Sequence, residues 1–158
     1  NFDCNDNCMV DIDCAGECGG TAIIDCMGIC EGNSFINEAC GICSACDLQI
    51  GTIIFVEEEE ELWYNINEDI YGFQFDLYGV TINSISYGNA ISSGLIVDYV
   101  NGANFSRILG YSSDSSKISE DCGTLIDISF SGQLTNVNNI VFGEILGEQF
   151  QVDYQICE

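Results

Sequence analysis

The chain has 158 residues, of which 26 are acidic and only Arg107 and Lys117 are basic, so its formal net charge is -24; it contains no His and no Pro. With no cluster of Lys and Arg to neutralise phosphates, nucleic acid is excluded as a partner, and anionic membrane surfaces repel the chain. Ser-His-Asp and Cys-His catalytic units are excluded because both need His. Hydrophobic residues make up 47% of the chain, which indicates a folded protein, while no apolar run reaches the roughly 18 residues of a membrane span.

Two compositions meet near residue 48. Residues 1–48 hold nine of the eleven Cys, nine acidic residues, no basic residue and two aromatic residues. Residues 49–158 hold 15 of the 17 aromatic residues. The first segment therefore lacks a hydrophobic core and needs disulfides or metals to hold a shape. We predict a cysteine-rich, loop-rich stalk module over 1–48 and one globular domain over 49–158. The start at Asn1 without Met or a signal peptide is expected of a mature or excised form.

An internal repeat organises the first segment. The pattern D-C-x-G-x-C-x-G occurs at residues 13–20 and again at 25–32, with a degenerate copy at 3–8. Glycines at matched offsets predict backbone positions with positive φ or close approach of neighbouring loops. Because a repeat this short cannot bury its own core, we expect the copies to stack into a short rod.

The cysteines favour disulfides over metal thiolates. The spacing Cys40-x-x-Cys43-x-x-Cys46 resembles a ferredoxin loop but lacks the fourth ligand, and paired C-x-x-C zinc knuckles are absent. Disulfides in turn predict secretion. The full predicted set is Cys4, Cys8, Cys14, Cys18, Cys26, Cys30, Cys40, Cys43, Cys46, Cys122 and Cys157.

The pairing of the cysteines is only partly constrained. Cys122 and Cys157 are the only two cysteines of the predicted globular domain, so a bridge between them is the simplest pairing. Nine cysteines then remain in the stalk module. Because nine is odd, one of them is either free or bonded to another chain.

Acidic residues in the stalk module suggest a calcium site. Asp11, Asp13, Glu17 and Asp25 supply the hard oxygen ligands that calcium prefers, next to glycine turns whose carbonyls could complete the shell. The sequence contains no complete EF-hand loop. The alternative is a solvated acidic surface without bound metal. Calcium is the only cofactor that we predict, and no motif for an organic cofactor is found.

The second segment has the periodicity of β-strands. Apolar and polar residues alternate over 73–77, 124–131 and 149–156, which is typical of half-buried strands. Turn residues separate the segments, and no helical pattern of apolar residues is found. About nine short strands predict an all-β, antiparallel sandwich or jelly roll. The further predicted strands are 52–57, 61–66, 80–87, 94–100, 105–112 and 139–146.

The run of five Glu at 57–61 is the densest cluster of charge. It is typical of a strand end and turn held in solvent, where charge discourages pairing of sheet edges. The alternatives are a second cation site, a patch for a basic partner, or the paired carboxylates of a glycosidase. A glycosidase also needs an aromatic-lined cleft, for which a 110-residue domain leaves little room. We therefore predict no enzymatic activity.

One glycosylation sequon is present. Asn104-Phe105-Ser106 fits the N-x-[ST] pattern and lies beside the turn at Asn101-Gly102. Asn104 is therefore a candidate site for an N-linked glycan.

Two parts of the chain resemble a known type of surface protein. Residues 13–32 resemble cysteine-rich repeats of large secreted surface proteins of aquatic bacteria. The segment 70–77, Ile-Tyr-Gly-Phe-Gln-Phe-Asp-Leu, looks like the "AGFQFDL" strand of the cohesin-like sandwiches that often follow such repeats, and the placement of Cys122 and Cys157 is also similar. The resemblance implies a jelly-roll domain that serves adhesion or assembly and is not an enzyme.

Together these features predict a secreted, non-enzymatic structural or assembly module at the cell surface. We expect self-association or tandem copies of the module, as in a filament, sheath or adhesin, stabilised by disulfides and calcium. The alternative is a cell-surface module that binds carbohydrate or another protein.

Overall fold

The chain divides into two compact units. The first comprises Asn1–Cys43 with Glu158, and the second Ser44–Cys157. The computed structural model describes residues 10–22, 28–31, 42–57, 59–119, 121–144 and 148–155. Within this part of the chain, no helix is long and apolar enough to cross a bilayer. The predicted boundary at 48 lies inside the second unit, which begins at Ser44.

The glycines of the repeat have the predicted backbone conformation in the first unit. Gly16 and Gly28 occupy the same position in the two copies, and their φ angles are 86° and 78°. A Cβ at either position would meet no atom within 4 Å. Positive φ, rather than close packing, is therefore the reason for glycine at both positions. The stacking of the repeats into a rod remains a prediction.

The described residues of the second unit form eight strands, one short α-helix and a 3₁₀ helix at Ala45–Asp47. β1 is Thr52–Val56, β2 is Glu61–Asn65, β3 is Gly72–Ser86, α1 is Gly88–Ser92, β4 is Ile96–Asn101, β5 is Phe105–Tyr111, β6 is Cys122–Gly143, β7 is Gln149–Phe150 and β8 is Asp153–Tyr154. β3 and β6 each join two strands that the sequence predicts separately. A five-residue helix, α1, lies where only a turn is predicted.

The eight strands form one sheet, and the all-β prediction is confirmed. The order is β4-β5-β3-β6-β2-β1-β8, with β7 paired to β6. All described pairings are antiparallel except β1–β8, which is parallel. The sheet is therefore mixed rather than purely antiparallel, because the C-terminal segment returns beside β1 in the same direction.

The sheet bends over a single core. Ile53 of β1, Phe75 of β3 and Ile108 of β5 are fully buried in one cluster, although β1 lies three places from β3 in the strand order. β3 bends at Gly79, where the register with β6 shifts and φ is 84°. A Cβ on Gly79 would lie 2.2 Å from the carbonyl oxygen of Gln133, so only glycine fits at this bend.

Cys122 forms a disulfide with Cys46, and the Cα atoms of these two residues are 5.2 Å apart. The predicted bridge between Cys122 and Cys157 is therefore wrong. Cys122 lies opposite Asn65 of β2. The Asn65 side chain donates to the carbonyl of Leu48 at 2.7 Å, and this bond holds the segment around Cys46 beside β2. Cys46 precedes the predicted boundary at 48 and belongs to the unit that begins at Ser44. Cys157 lies outside the described residues.

All six cysteines in the described part of the chain are in disulfides. Cys14 pairs with Cys30, Cys46 pairs with Cys122, and Cys18 and Cys43 are also disulfide-bonded. The remaining predicted cysteines, which are Cys4, Cys8, Cys26, Cys40 and Cys157, lie outside the described residues.

Candidate interaction face

Four neighbouring strands, β4, β5, β3 and β6, present one face away from the core. Paired residues point to the same side of a sheet, and Arg107 pairs with both Val100 and Asp76. Phe75 is adjacent to Asp76 and Ile108 is adjacent to Arg107, and both Phe75 and Ile108 point into the core. Asp76, Arg107 and the residues that share their side of the sheet therefore point outward. We call this set the outer face, and its members are Gly72, Gln74, Asp76, Tyr78, Ile96, Asp98, Val100, Phe105, Arg107, Leu109, Tyr111, Asn136, Asn138 and Val141.

A buried ion pair lies at the centre of the outer face. The Arg107 guanidinium donates from Nε to Asp76 Oδ1 at 2.6 Å and from a terminal nitrogen to Oδ2 at 2.7 Å. Asn139 Nδ2 donates to the same Oδ2 at 2.6 Å. The Asp76 side chain is fully buried, whereas Arg107 is 37% exposed. The Arg107 bonds hold the pKa of Asp76 below its ordinary value of 3.8, and burial opposes this shift.

Two aromatic rings support the guanidinium. Arg107 lies over the Phe105 ring at 5.2 Å from its centroid, and Phe105 contacts Tyr78 with ring centroids 5.6 Å apart. Cation–π contact and the two-pronged bond to Asp76 fix the arginine in one position. One of the two cations of the chain is therefore part of a rigid platform on this face.

Apolar side chains surround the ion pair. Val100 is 61% exposed, and Ile96, Leu109 and Tyr111 are each about 40% exposed. Leu109 and Tyr111 also line a groove of about 370 Å³, whose other lining residues are Gly72, Phe73, Gln74, Gly110, Val141, Gly143 and Gln149. Exposed apolar side chains that lie next to one another mark interaction sites more often than single exposed ones do.

The outer face carries almost no net charge. Asp76 and Arg107 neutralise each other, so Asp98 is the single remaining charged side chain among the members of this face. The chain as a whole carries 26 acidic residues and a formal charge of -24. The outer face is therefore a nearly neutral, partly apolar surface on a strongly acidic protein.

The predicted calcium ligands do not form a cluster in the described part of the chain. No group of three or more acidic, Cys or His side chains that could hold a metal is found there. Asp13 instead anchors its own loop, because its carboxylate accepts the backbone N–H groups of Ala15, Glu17 and Ala22 at 2.8–3.0 Å. These bonds lower the pKa of Asp13, and the bond from the Glu17 N–H has the largest effect. Asp25 lies outside the described residues, so calcium binding stays a prediction.

The bond from Ala15 to Asp13 is an Asx-turn, which residue type and spacing could have suggested. The repeat aspartate thus has a structural role that the search for metal ligands missed. Because its oxygens already accept three N–H groups, Asp13 is poorly placed to contribute strongly to a cation shell.

Glu57, Glu59 and Glu60 of the Glu-rich run lie in the turn between β1 and β2, and Glu61 begins β2. Glu60 donates its N–H to the carbonyl of Glu57 at 3.3 Å, and Glu61 accepts bonds from Trp63 Nε1 at 2.5 Å and from Thr124 Oγ1 at 2.8 Å. The pKa of Asp127 is raised by burial and by the nearby Glu61 carboxylate. The described residues of the run therefore fit the predicted solvated turn; Glu58 lies outside them.

Asn104 lies in the turn between β4 and β5 and is exposed. Ser106 of the same sequon is buried and donates to the carbonyl of Val80 at 2.9 Å. The Asn104 side chain is accessible, and its glycosylation stays a prediction.

No protein-family model matches the chain, and no curated protein is similar to it in sequence. Among solved structures, the non-cellulosomal cohesin from the hyperthermophilic archaeon Archaeoglobus fulgidus resembles the chain with a TM-score of 0.47 and 14% identity. The match covers 60% of this chain and 72% of that chain. At this identity and TM-score, the match does not assign a function to the chain.

Proposed function

We propose that this protein is a non-enzymatic extracellular structural module that assembles with further copies of itself through the outer face, as a building block of a surface filament, sheath or adhesin. The observation that carries this proposal is the contrast between the neutral, partly apolar outer face and the charge of -24 on the whole chain. Approach at any strongly acidic surface would bring like charges together, whereas approach at the outer face would not.

The proposed assembly depends on salt. At about 0.1 M ionic strength the Debye length is about 10 Å, and at about 1 M it is about 3 Å. Added salt therefore screens the repulsion between acidic copies while it leaves apolar contact intact. An extracellular location is supported by the disulfides, since they persist in oxidising compartments.

Sedimentation velocity of purified protein over a salt series tests the role of the face. Leu109→Glu places a charge in the centre of the apolar patch and should abolish the salt-induced association. Ser92→Glu is the matched control, because Ser92 is exposed on α1 and the substitution adds the same charge outside the outer face. Equal association of both variants would contradict the proposal.

The groove favours a second candidate function, the binding of a carbohydrate. An aromatic ring, Tyr111, lies there beside the amide side chains of Gln74 and Gln149, and this combination can stack on a sugar ring and bond its hydroxyl groups. Binding on a glycan array that is lost in Tyr111→Ala would support this function. A glycan array without binding would exclude it.

A further inference from the structure

The sheet ends at β4, and this edge is open. β4 is the first strand in the order and has no strand beyond it in the described part of the chain. Five of its six residues are exposed, and its register with β5 shows no shift. Natural edge strands are usually protected by charged side chains, Pro, a bulge or a covering segment; β4 has no Pro and no bulge, and Asp98 is its one charged residue.

Elsewhere the same protein closes a free edge with side chains. Beyond Gly79, β3 has left β5, and none of the described strands pairs with it on that side. Ser106 Oγ donates to the carbonyl of Val80 at 2.9 Å, and the Asn101 side chain bonds both the N–H and the carbonyl of Ile82 at 2.9 Å. These bonds satisfy the carbonyl of Val80 and both backbone groups of Ile82, whereas no side chain of the described residues makes such a bond to the edge of β4.

The hydrogen-bond pattern shows which backbone groups of β4 point outward. Gly102 donates its N–H to the carbonyl of Phe105 at 2.9 Å. Backbone groups alternate between the two sides of a strand, so Ile96, Asp98 and Val100 also bond β5. The N–H and carbonyl groups of Val97, Tyr99 and Asn101 therefore point away from the sheet. The N–H of Ser112 donates to the carbonyl of Tyr71, so the backbone groups of Ser112 point toward β3. Those of Tyr111 therefore point toward β4, which agrees with the alternation found at Gly102.

The outward groups are complementary to those of a second copy. In an antiparallel pair centred on Tyr99, each Tyr99 faces Tyr99 of the other copy, and each Val97 faces Asn101. All three outward residues then lie in hydrogen-bonded positions, which gives six backbone hydrogen bonds. A shift that brings Asp98 opposite Asp98, or one that brings Val100 opposite Val100, leaves only four bonds.

Charge also selects the register centred on Tyr99. Asp98 is the single charged residue of β4, and this register places it opposite Val100 of the other copy rather than opposite its own equivalent. Like charges directly opposite each other destabilise a strand pair. Because Asp98 and Val100 both belong to the outer face, the pairing would also join the outer faces of two copies into one continuous surface.

We propose that β4 pairs antiparallel with β4 of a second copy, with Tyr99 on the two-fold axis. This inference rests on the proposed function, since it specifies one contact of the self-assembly. It adds a backbone interface to the side-chain contacts of the outer face.

Substitutions at Val100 test the register by charge. At the lowest salt concentration at which the wild-type protein associates, Val100→Lys should pair with Asp98 of the other copy and tighten the dimer by about 2- to 30-fold, counting two pairs at about 0.2–1 kcal/mol each. Val100→Glu should weaken it. Within one chain Val100 lies opposite Arg107. Val100→Lys would therefore place two cations opposite each other within the chain, and Val100→Glu would place a carboxylate opposite a cation. Both effects within the chain are opposite in sign to those expected for the dimer. Ser92→Lys is the matched control, because it changes the net charge equally at an exposed position outside β4 and the outer face.

Amide hydrogen exchange tests the backbone bonds under conditions of association. We expect the amides of Val97, Tyr99 and Asn101 to become protected as protein concentration rises, while those of Ile96 and Asp98 are protected at every concentration. Association without protection of the outward amides, or weakening by Val100→Lys, would overturn the edge pairing and leave the proposed function standing. A wild-type protein that stays monomeric at every salt concentration would overturn both.

Discussion

Removal of the Cys46–Cys122 disulfide gives a prediction whose magnitude follows from the structure. The bridge closes a loop with a sequence separation of 76 residues. In the chain-entropy account, a loop of this length lowers the free energy of the folded state relative to the unfolded state by about 4.5 kcal/mol. We expect the double variant Cys46→Ala/Cys122→Ala to lose stability of this order, which is a large share of the 5–15 kcal/mol that is typical of a single domain.

Urea unfolding followed by tryptophan fluorescence measures this loss, because Trp63 is the only tryptophan and lies in β2 of the same unit. The matched control is Cys14→Ala/Cys30→Ala, since that bridge lies in the first unit and closes a loop with a separation of 16. The control should leave the Trp63 transition nearly unchanged. An equal loss in both variants, or no loss in the first, would refute the reasoning.

Three further predictions concern the second unit. Because the pKa of Asp76 is lowered, its pairing with Arg107 stabilises the fold fully above pH 3.8 and progressively less as pH falls through the lowered pKa. Asp76→Asn should therefore reduce the fall of the melting temperature at acidic pH. An unchanged fall would count against the pairing. Gly79→Ala should cost about 1–3 kcal/mol in urea unfolding because it forces a side chain into a positive-φ bend; a neutral result would show that β3 bends differently. Asn101→Ala leaves the N–H and carbonyl of Ile82 without their side-chain partners. It should lower the free energy of unfolding by about 1–3 kcal/mol per buried group and speed the exchange of the Ile82 amide. Unaltered exchange would show that Asn101 does not close this edge of β3.

The alternation of apolar and polar residues was sufficient to locate most strands. The period of two at residues 73–77 and 124–131 marks segments that do lie in β3 and β6. The sequence could not show that each belongs to a longer strand, because Gly79 and Gly132 are typical of turns and here permit bends within paired strands. The short helix α1 was not predicted, because five residues are too few to show the spacing of apolar residues that marks a helix.

The outer face could not be predicted from periodicity alone. Arg107 and Asp76 are 31 positions apart, and their contact depends on the pairing of β3 with β5, which the sequence does not specify. The presence of only two cations was the one available indication that Arg107 has a defined partner. The Cys46–Cys122 bridge was missed for a similar reason, since it depends on β2 lying beside β6.

The most direct test of the proposed assembly is the sedimentation coefficient of the wild-type protein at constant concentration, as sodium chloride rises from about 0.05 M to about 1 M. Assembly through a neutral, apolar face predicts monomers at low salt and a growing fraction of larger species as repulsion is screened. Monomers at every salt concentration, or larger species that dissociate as salt is added, would contradict the account.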